Sequence, residues 1–250
     1  MKGTLLAAGI IALLAGAVYL YVARRLPRPP GSKDASRAMA MFSLWWYALG
    51  VNIILVGVTY LLGAAGHLTF ELQYVDSYLQ RLLLAVSMVG LMHYLLYLLT
   101  GRDLLAPLAV FYGAYFVFLI YGMLLQQPDT LFVGAWRTDI MSPRGEVAWL
   151  KYASLGAILL PPTVCSLLYL RLFFRVPDAT RKWRIALVSG AILFWWAIAV
   201  VAGQRAALDD TPLQAANRLL SLVAAFAVLA AYSPPRWAQR RWGVVRAQAA

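Results

Sequence analysis

Seven stretches of this chain are each long and apolar enough to cross a bilayer: residues 3–23, 38–63, 73–100, 104–125, 147–174, 184–203 and 213–232. A hydrocarbon core about 30 Å thick is spanned by roughly 20 helical residues. Within it every backbone N–H and C=O has to be satisfied inside its own segment or in a closed barrel. Runs of this length with no period-two alternation therefore predict an all-α protein, a seven-transmembrane-helix bundle. Each run is bounded by turn or charge signals: Arg24 and Arg25 with Pro27, Pro29 and Pro30, then Gly66, Gly101 and Arg102, Pro128, Pro177, Asp209 and Asp210, and Pro234 with Pro235.

Composition supports lipid as the solvent. Hydrophobic residues make up 62% and charged residues 13%, whereas soluble domains carry about 25% charged residues. Seven spans in 250 residues leave no length for a separate soluble domain, so 1–250 reads as a single integral membrane domain. The first run follows a lone Lys2 and is trailed by Arg24 and Arg25, which reads as a stop-transfer anchor rather than a signal peptide.

The net charge of +12 is distributed unevenly. Lys and Arg gather in the 1–2 linker (Arg24, Arg25, Arg28, Lys33, Arg37), at Arg102, around the 5–6 linker (Arg171, Arg175, Arg181, Lys182, Arg184) and in the tail (Arg236, Arg240, Arg241, Arg246). Acidic residues gather on the other side, at Glu71, Asp76, Asp129, Asp139, Glu146, Asp209 and Asp210. The positive-inside rule then puts the amino terminus outside and the carboxyl terminus in the cytoplasm of a bacterial inner membrane. The partners implied are anionic lipid headgroups at the cytoplasmic face rather than nucleic acid, with membrane-protein partners or a homo-oligomer left open. Trp136, Trp149, Trp183, Trp237 and Trp242 fall near span ends, as in an aromatic belt. Residues 126–146 form the longest outer segment, which could cap the bundle or dock a partner.

Chemistry-bearing residues are few. Cys165 is the only cysteine, which removes disulfides and cysteine-based metal sites and leaves a small buried thiol. His93 lies within a span and His67 in an outer loop, too far apart to ligate one haem, so His93 is expected to be a hydrogen-bonded core histidine. There is no glycine-rich phosphate loop, no metal-spaced cluster and no nucleophile with a base and an orienter. The expectation is no catalytic residue, no metal and no enzymatic activity.

Helix 3 holds most of the polar groups. Gln73, Asp76, Gln80, Ser87 and Tyr94 recur at helical spacing and share one face, which lipid would drive into the bundle. Arg81 lies about 100° round the helix from Gln80; it could pair with Asp76 or with Asp209 or Asp210, snorkel to the interface, or act as a working charge in a ligand path. Asn52 with Thr59 in helix 2, and Asn217 with Ser221 in helix 7, complete an outer-half polar pocket or simply bond helix to helix. Pro161 and Pro162 mark a bend or hinge in helix 5. Trp195 and Trp196 in helix 6 wall that pocket or fill space.

The run Gln73, Tyr74, Val75, Asp76 resembles the helix-3 pattern of microbial rhodopsins, with Asp76 at the counterion position and Tyr74 at the tyrosine. Gln73 replaces the family's arginine and Ser77 its tryptophan. Trp195, Trp196 and Ala197 are similar to the tryptophan-bearing ring wall of that family's helix 6, with Ile198 and Ala199 where Tyr-Pro is expected, and Pro212 with Leu213 opens helix 7 in the same manner. The retinal-binding lysine should fall at Val228 or Leu229, and the second counterion at Ala224 or Ala225; Lys2, Lys33, Lys151 and Lys182 all lie elsewhere. The resemblance therefore implies an opsin-related bundle without the Schiff base, holding no covalent cofactor but a lipid, carotenoid or other apolar ligand.

Three functions remain open on these residues: a receptor-like or ligand-binding membrane protein with a polar outer-half pocket at Asn52, Asp76, Gln80, Arg81, Trp195, Trp196 and Asn217; an accessory or scaffolding subunit of a larger membrane complex; and a small-solute or ion transporter, which the lack of an internal repeat disfavours.

Overall fold

Long apolar runs with internally satisfied backbones form helices here, and 84% of the described residues are helical. The structure, a computed structural model, describes residues 2–26, 33–142, 148–193 and 212–243. In chain order the elements are α1 (Lys2–Arg25), α2 (Lys33–Ala65), α3 (Phe70–Thr100), α4 (Leu105–Gln126), β1 (Thr130–Val133), β2 (Thr138–Met141), α5 (Ala148–Arg175), α6 (Ala179–Leu193), α7 (Leu213–Tyr232) and a short α8 (Arg236–Trp242). Four of the helices, α1 to α4, are long and apolar enough to cross a membrane, and Ala216–Tyr232 within α7 is apolar but shorter.

The all-α expectation is amended in one place. The segment between α4 and α5 carries an antiparallel hairpin, with Thr130 paired to Met141 and Val133 to Thr138. Its sequence shows the reason: Thr-Leu-Phe-Val is β-branched and aromatic, Gly134 opens the turn, and Thr-Asp-Ile-Met returns. Other differences are at helix ends. α2 begins at Lys33 rather than 38, α6 begins at Ala179 rather than 184, and α8 follows the last expected span.

Each helix from α1 to α7 packs against its sequence neighbour, and α7 returns to α1, closing a ring; α3 also reaches α5. The junction between α4 and α5 is the thinnest in that ring.

The α1–α2 seam is the tightest. Gly9 and Gly16 lie two turns apart on α1 and oppose Gly57 and Gly50 on the antiparallel α2. A Cβ on Gly16 would stand 2.5 Å from Ile54 Cγ1 and 2.7 Å from the Gly50 carbonyl. Lipid tails are as apolar as Leu, so helices associate through close van der Waals packing, and glycine permits it.

One half of the ring holds an aromatic core. Trp45, Trp46, Tyr19 and Phe42 are fully buried. Tyr19 stacks on Trp46 at 5.3 Å and Phe42 on Tyr94 at 4.4 Å. The polar tip of Tyr19 is satisfied by the Ser221 carbonyl at 3.0 Å, which ties α1 to α7. Trp183 donates to the Ala230 carbonyl at 2.9 Å and meets Trp237 edge to face at 5.9 Å, joining α6, α7 and α8.

Both ends of α3 are specified locally. The Thr69 hydroxyl accepts from the Leu72 N–H at 3.3 Å, an N-cap, with Glu71 in the first turn. At the other end Gly101 adopts φ 67°, a left-handed value that costs glycine little, and its N–H donates to the Tyr97 carbonyl at 2.8 Å.

Candidate functional site

The polar face expected on α3 turns inward as its spacing requires. Gln73, Asp76, Ser77 and Ser87 are buried, at the level of the helix that faces α2 and the hairpin. Three of the expected site residues meet in one chain of hydrogen bonds. The Asn52 side-chain amide of α2 donates to the main-chain carbonyl of Gln80 at 2.9 Å, and the Gln80 side-chain amide donates to the Asp76 carboxylate one turn earlier.

Of the alternatives open for Arg81, the structure does not show the pairing with Asp76, which accepts from Gln80; Asp209 and Asp210 lie outside the described residues. The Arg81 guanidinium folds back onto the Ser77 carbonyl at 2.8 Å, and the carboxylate whose field reaches it is Asp139 of the hairpin. The physical reason is angular. Arg81 lies more than a quarter of a turn away from the Asp76–Gln80 stripe, and its guanidinium finds the i−4 carbonyl on its own side.

The hairpin is anchored over this region. The Thr4 hydroxyl donates to the Ala135 carbonyl at 2.6 Å, and the Thr138 methyl sits where a side chain on Gly63 would be, 2.9 Å from its ideal Cβ. Arg137 is buried, pairs with Asp139 at 3.0 Å and lies 5.1 Å from the centre of the Phe132 ring. The hairpin therefore packs on α1, α2 and α3.

Asn217 is buried on α7 but shares no hydrogen bond with the Asn52–Gln80–Asp76 chain. Its carbonyl accepts from Ser221 at 3.1 Å. The neighbouring Arg218 reaches across to the Tyr60 hydroxyl of α2 at 3.1 Å, its guanidinium 5.5 Å from that ring. Several buried polar atoms in this part of the molecule have no partner among the described residues: Gln73 Oε1, Thr138 Oγ1 and Asn217 Oδ1.

Pro161 and Pro162 are buried inside α5, which runs unbroken from Ala148 to Arg175. The Thr163 hydroxyl donates to the Leu159 carbonyl at 2.8 Å, the i−4 back-bond of a helical threonine. Trp195 and Trp196 lie outside the described residues. Cys165 is free and buried, as expected of a small apolar thiol.

A second polar cluster was not anticipated. His93, 1% exposed, contacts Asp103 through Nε2 at 2.8 Å, and Arg37 pairs with the other oxygen of the same carboxylate. Asp103 also accepts from the Leu105 N–H at 3.0 Å, an Asx turn that starts α4. One carboxylate thus joins α2, α3 and α4. The backbone N–H of Leu105 first, then the His93 hydrogen bond and the Arg37 charge, hold its pKa below the ordinary value for aspartate. The legible signal was Asp103, two residues after the Gly101 C-cap and immediately before the apolar run that starts at 104.

No family model matches the chain, and no curated protein or solved structure matches it either.

Proposed function

We propose that the chain is a multi-pass protein of a bacterial inner membrane, crossing it with α1 to α7, amino terminus outside and carboxyl terminus in the cytoplasm, and that it works as a non-enzymatic receptor-like or ligand-binding module. Its ligand enters the outer half beneath the hairpin, between α2, α3 and α7. One observation carries the reading. Gln73, Thr138 and Asn217 each keep a buried oxygen with no partner among the described residues, Gln73 one turn from Asp76 on α3, Thr138 on the hairpin and Asn217 on α7. An unmet buried acceptor costs about 1–3 kcal/mol, which a ligand or ordered water with hydrogen-bond donors offsets.

The likeness to microbial rhodopsins enters the proposal as architecture alone. It is supported by the sequential ring of helices, and retinal chemistry is left out because Val228, at the expected lysine position, is fully buried in the apolar core with Ala224 and Ala225. Visible absorbance of the protein purified in mild detergent, with and without added retinal or carotenoid, tests this directly. A hydroxylamine-sensitive band on adding retinal would overturn it. Mass spectrometry of organic extracts from the wild type and Asp76→Asn tests the ligand reading: a small molecule lost in the variant supports it, and identical extracts refute it.

A subunit role is the second reading, favoured by α4. Its Val110, Phe111, Val117 and Tyr121 are more than half exposed, a broad apolar and aromatic face. Co-purification of a partner at fixed stoichiometry, lost on Phe111→Ala with Tyr121→Ala, supports that role.

A further inference from the structure

Between the last turns of α3 and α5 runs an open groove of about 280 Å³. Its walls are apolar: Leu95 and Leu99 from α3, Leu168 and Leu172 from α5. At its end stand Arg171 and Arg175, one turn apart on α5 and both exposed. Neither arginine has a hydrogen bond or ion pair among the described residues, although Arg37 and Arg137 each hold a carboxylate.

Two like charges at i and i+4 on one helix repel. An anion between them converts that repulsion into two charge-assisted, fork-shaped contacts, and the guanidinium matches phosphate geometry. The volume is just under the roughly 300–1,000 Å³ of small-molecule pockets, fitting a single chain better than a fused-ring ligand. Leu99, more than half exposed, leaves the groove open on its lipid side. An apolar slot that ends in paired cations is the shape complement of one amphiphile.

We propose that this groove is a specific binding site for an anionic phospholipid of the basic-side leaflet, its acyl chain between α3 and α5 and its phosphate bridging Arg171 and Arg175. The site takes from the reading above only that α5 lies in the bilayer; it is independent of any ligand under the hairpin. The occupant is a lipid rather than free phosphate because the apolar walls provide most of the contact, and a zwitterionic headgroup would bring its own cation against the two arginines.

The full chain in detergent, titrated with phosphatidylglycerol, phosphatidylcholine or inorganic phosphate, provides the test, read by native mass spectrometry and thermal unfolding. Phosphatidylglycerol is expected to add as one retained lipid and raise Tm saturably, with phosphatidylcholine and phosphate giving little. Arg171→Gln with Arg175→Gln should weaken retention by about tenfold or more. Arg240→Gln with Arg241→Gln, in α8, should leave it unchanged. Leu99→Trp fills the groove from its exposed side with the charges intact and should also expel the lipid, which covers the case of a double arginine variant that does not fold. Equal retention of phosphatidylcholine, an equal response to phosphate alone, or undiminished retention in both the arginine and the Leu99→Trp variants would overturn the proposal. Loss of the small molecule under the hairpin in Asp76→Asn bears only on the outer site, so the two readings fail separately.

Discussion

The two sides of the ring use glycine in opposite ways. On the α1–α2–α3 side Gly9, Gly16, Gly50, Gly57 and Gly90 each face another helix so closely that a Cβ would fall about 3 Å or less from a neighbouring atom, as at Gly90, 2.5 Å from the Met41 carbonyl. On the α4–α5–α6 side Gly113, Gly156 and Gly190 meet nothing within 4 Å. Burial follows the same division: the fully buried tryptophans are on α2, whereas α4 hides little beyond Tyr112, Tyr115, Leu119, Gly122 and Met123. In lipid there is no hydrophobic drive between helices, so a tight seam has to come from shape. The first three helices have that shape and form the scaffold; the other side is left open to lipid, partner or ligand.

The largest effect should come from filling the seam. Gly16→Val is expected to abolish the folded protein in detergent, because the larger side chain meets Ile54 and the Gly50 carbonyl with no free direction. Gly16→Ala should cost about 1–3 kcal/mol, the usual range for overpacking. Gly113→Ala should leave stability unchanged or raise it by less than about 1 kcal/mol, since alanine is the better helix former and the space is empty. Size-exclusion profiles and thermal unfolding of the three variants measure this. Equal losses at Gly16 and Gly113 would erase the distinction between the two sides.

Parts of this picture could be read from the residues, and the limits are instructive. The inward polar face of α3 was legible because a period of 3.6 with Gln73, Asp76 and Gln80 allows one orientation in lipid. The seam was not, since Gly9 and Gly16 acquire meaning only when the antiparallel register sets them against Gly57 and Gly50. A hairpin with strands of four residues gives too short an alternation to separate from a loop. Which of its open alternatives Arg81 takes was not legible, because sequence proximity does not fix direction: Gln80 takes the Asp76 carboxylate and the Ser77 carbonyl the guanidinium. His93 was expected to find a hydrogen bond, but its partner, Asp103, was visible only once the tight turn after α3 had brought it back beneath the helix.

Asp103 stands where the tight and open sides join, and its protonation gives a smaller, pH-dependent effect. Its folded pKa is lowered, so its contribution to stability is present above the unfolded value of about 3.9 and is lost as pH falls through the folded value. The wild type should therefore lose Tm on acidification below about pH 4. Asp103→Asn should start lower at neutral pH and show less of that loss, because the amide cannot pair with Arg37 in either condition. A variant that acidifies in parallel with the wild type would mean that the carboxylate does not couple α4 to the scaffold.

The smallest effect concerns how α7 closes the ring on the scaffold's outer half. Arg218 meets Tyr60 both through its hydroxyl and across its ring, so Tyr60→Phe removes the hydrogen bond and keeps the ring, while Arg218→Met removes both contacts and retains length. Hydrogen bonds between membrane helices average about 0.6 kcal/mol, and a cation over an aromatic ring at a partly wet site adds about 0.5–1 kcal/mol. A double-mutant cycle of these two substitutions on unfolding free energy should thus give a coupling of about 0.6 kcal/mol, the hydrogen-bonded share, because the ring contact persists in Tyr60→Phe and cancels from the cycle; Arg218→Met alone loses the ring contact as well. Coupling indistinguishable from zero would mean that α7 is held to α1 and α2 by its apolar face and the Tyr19 bond to Ser221, and the region beneath the hairpin would then be free to open between α2 and α7.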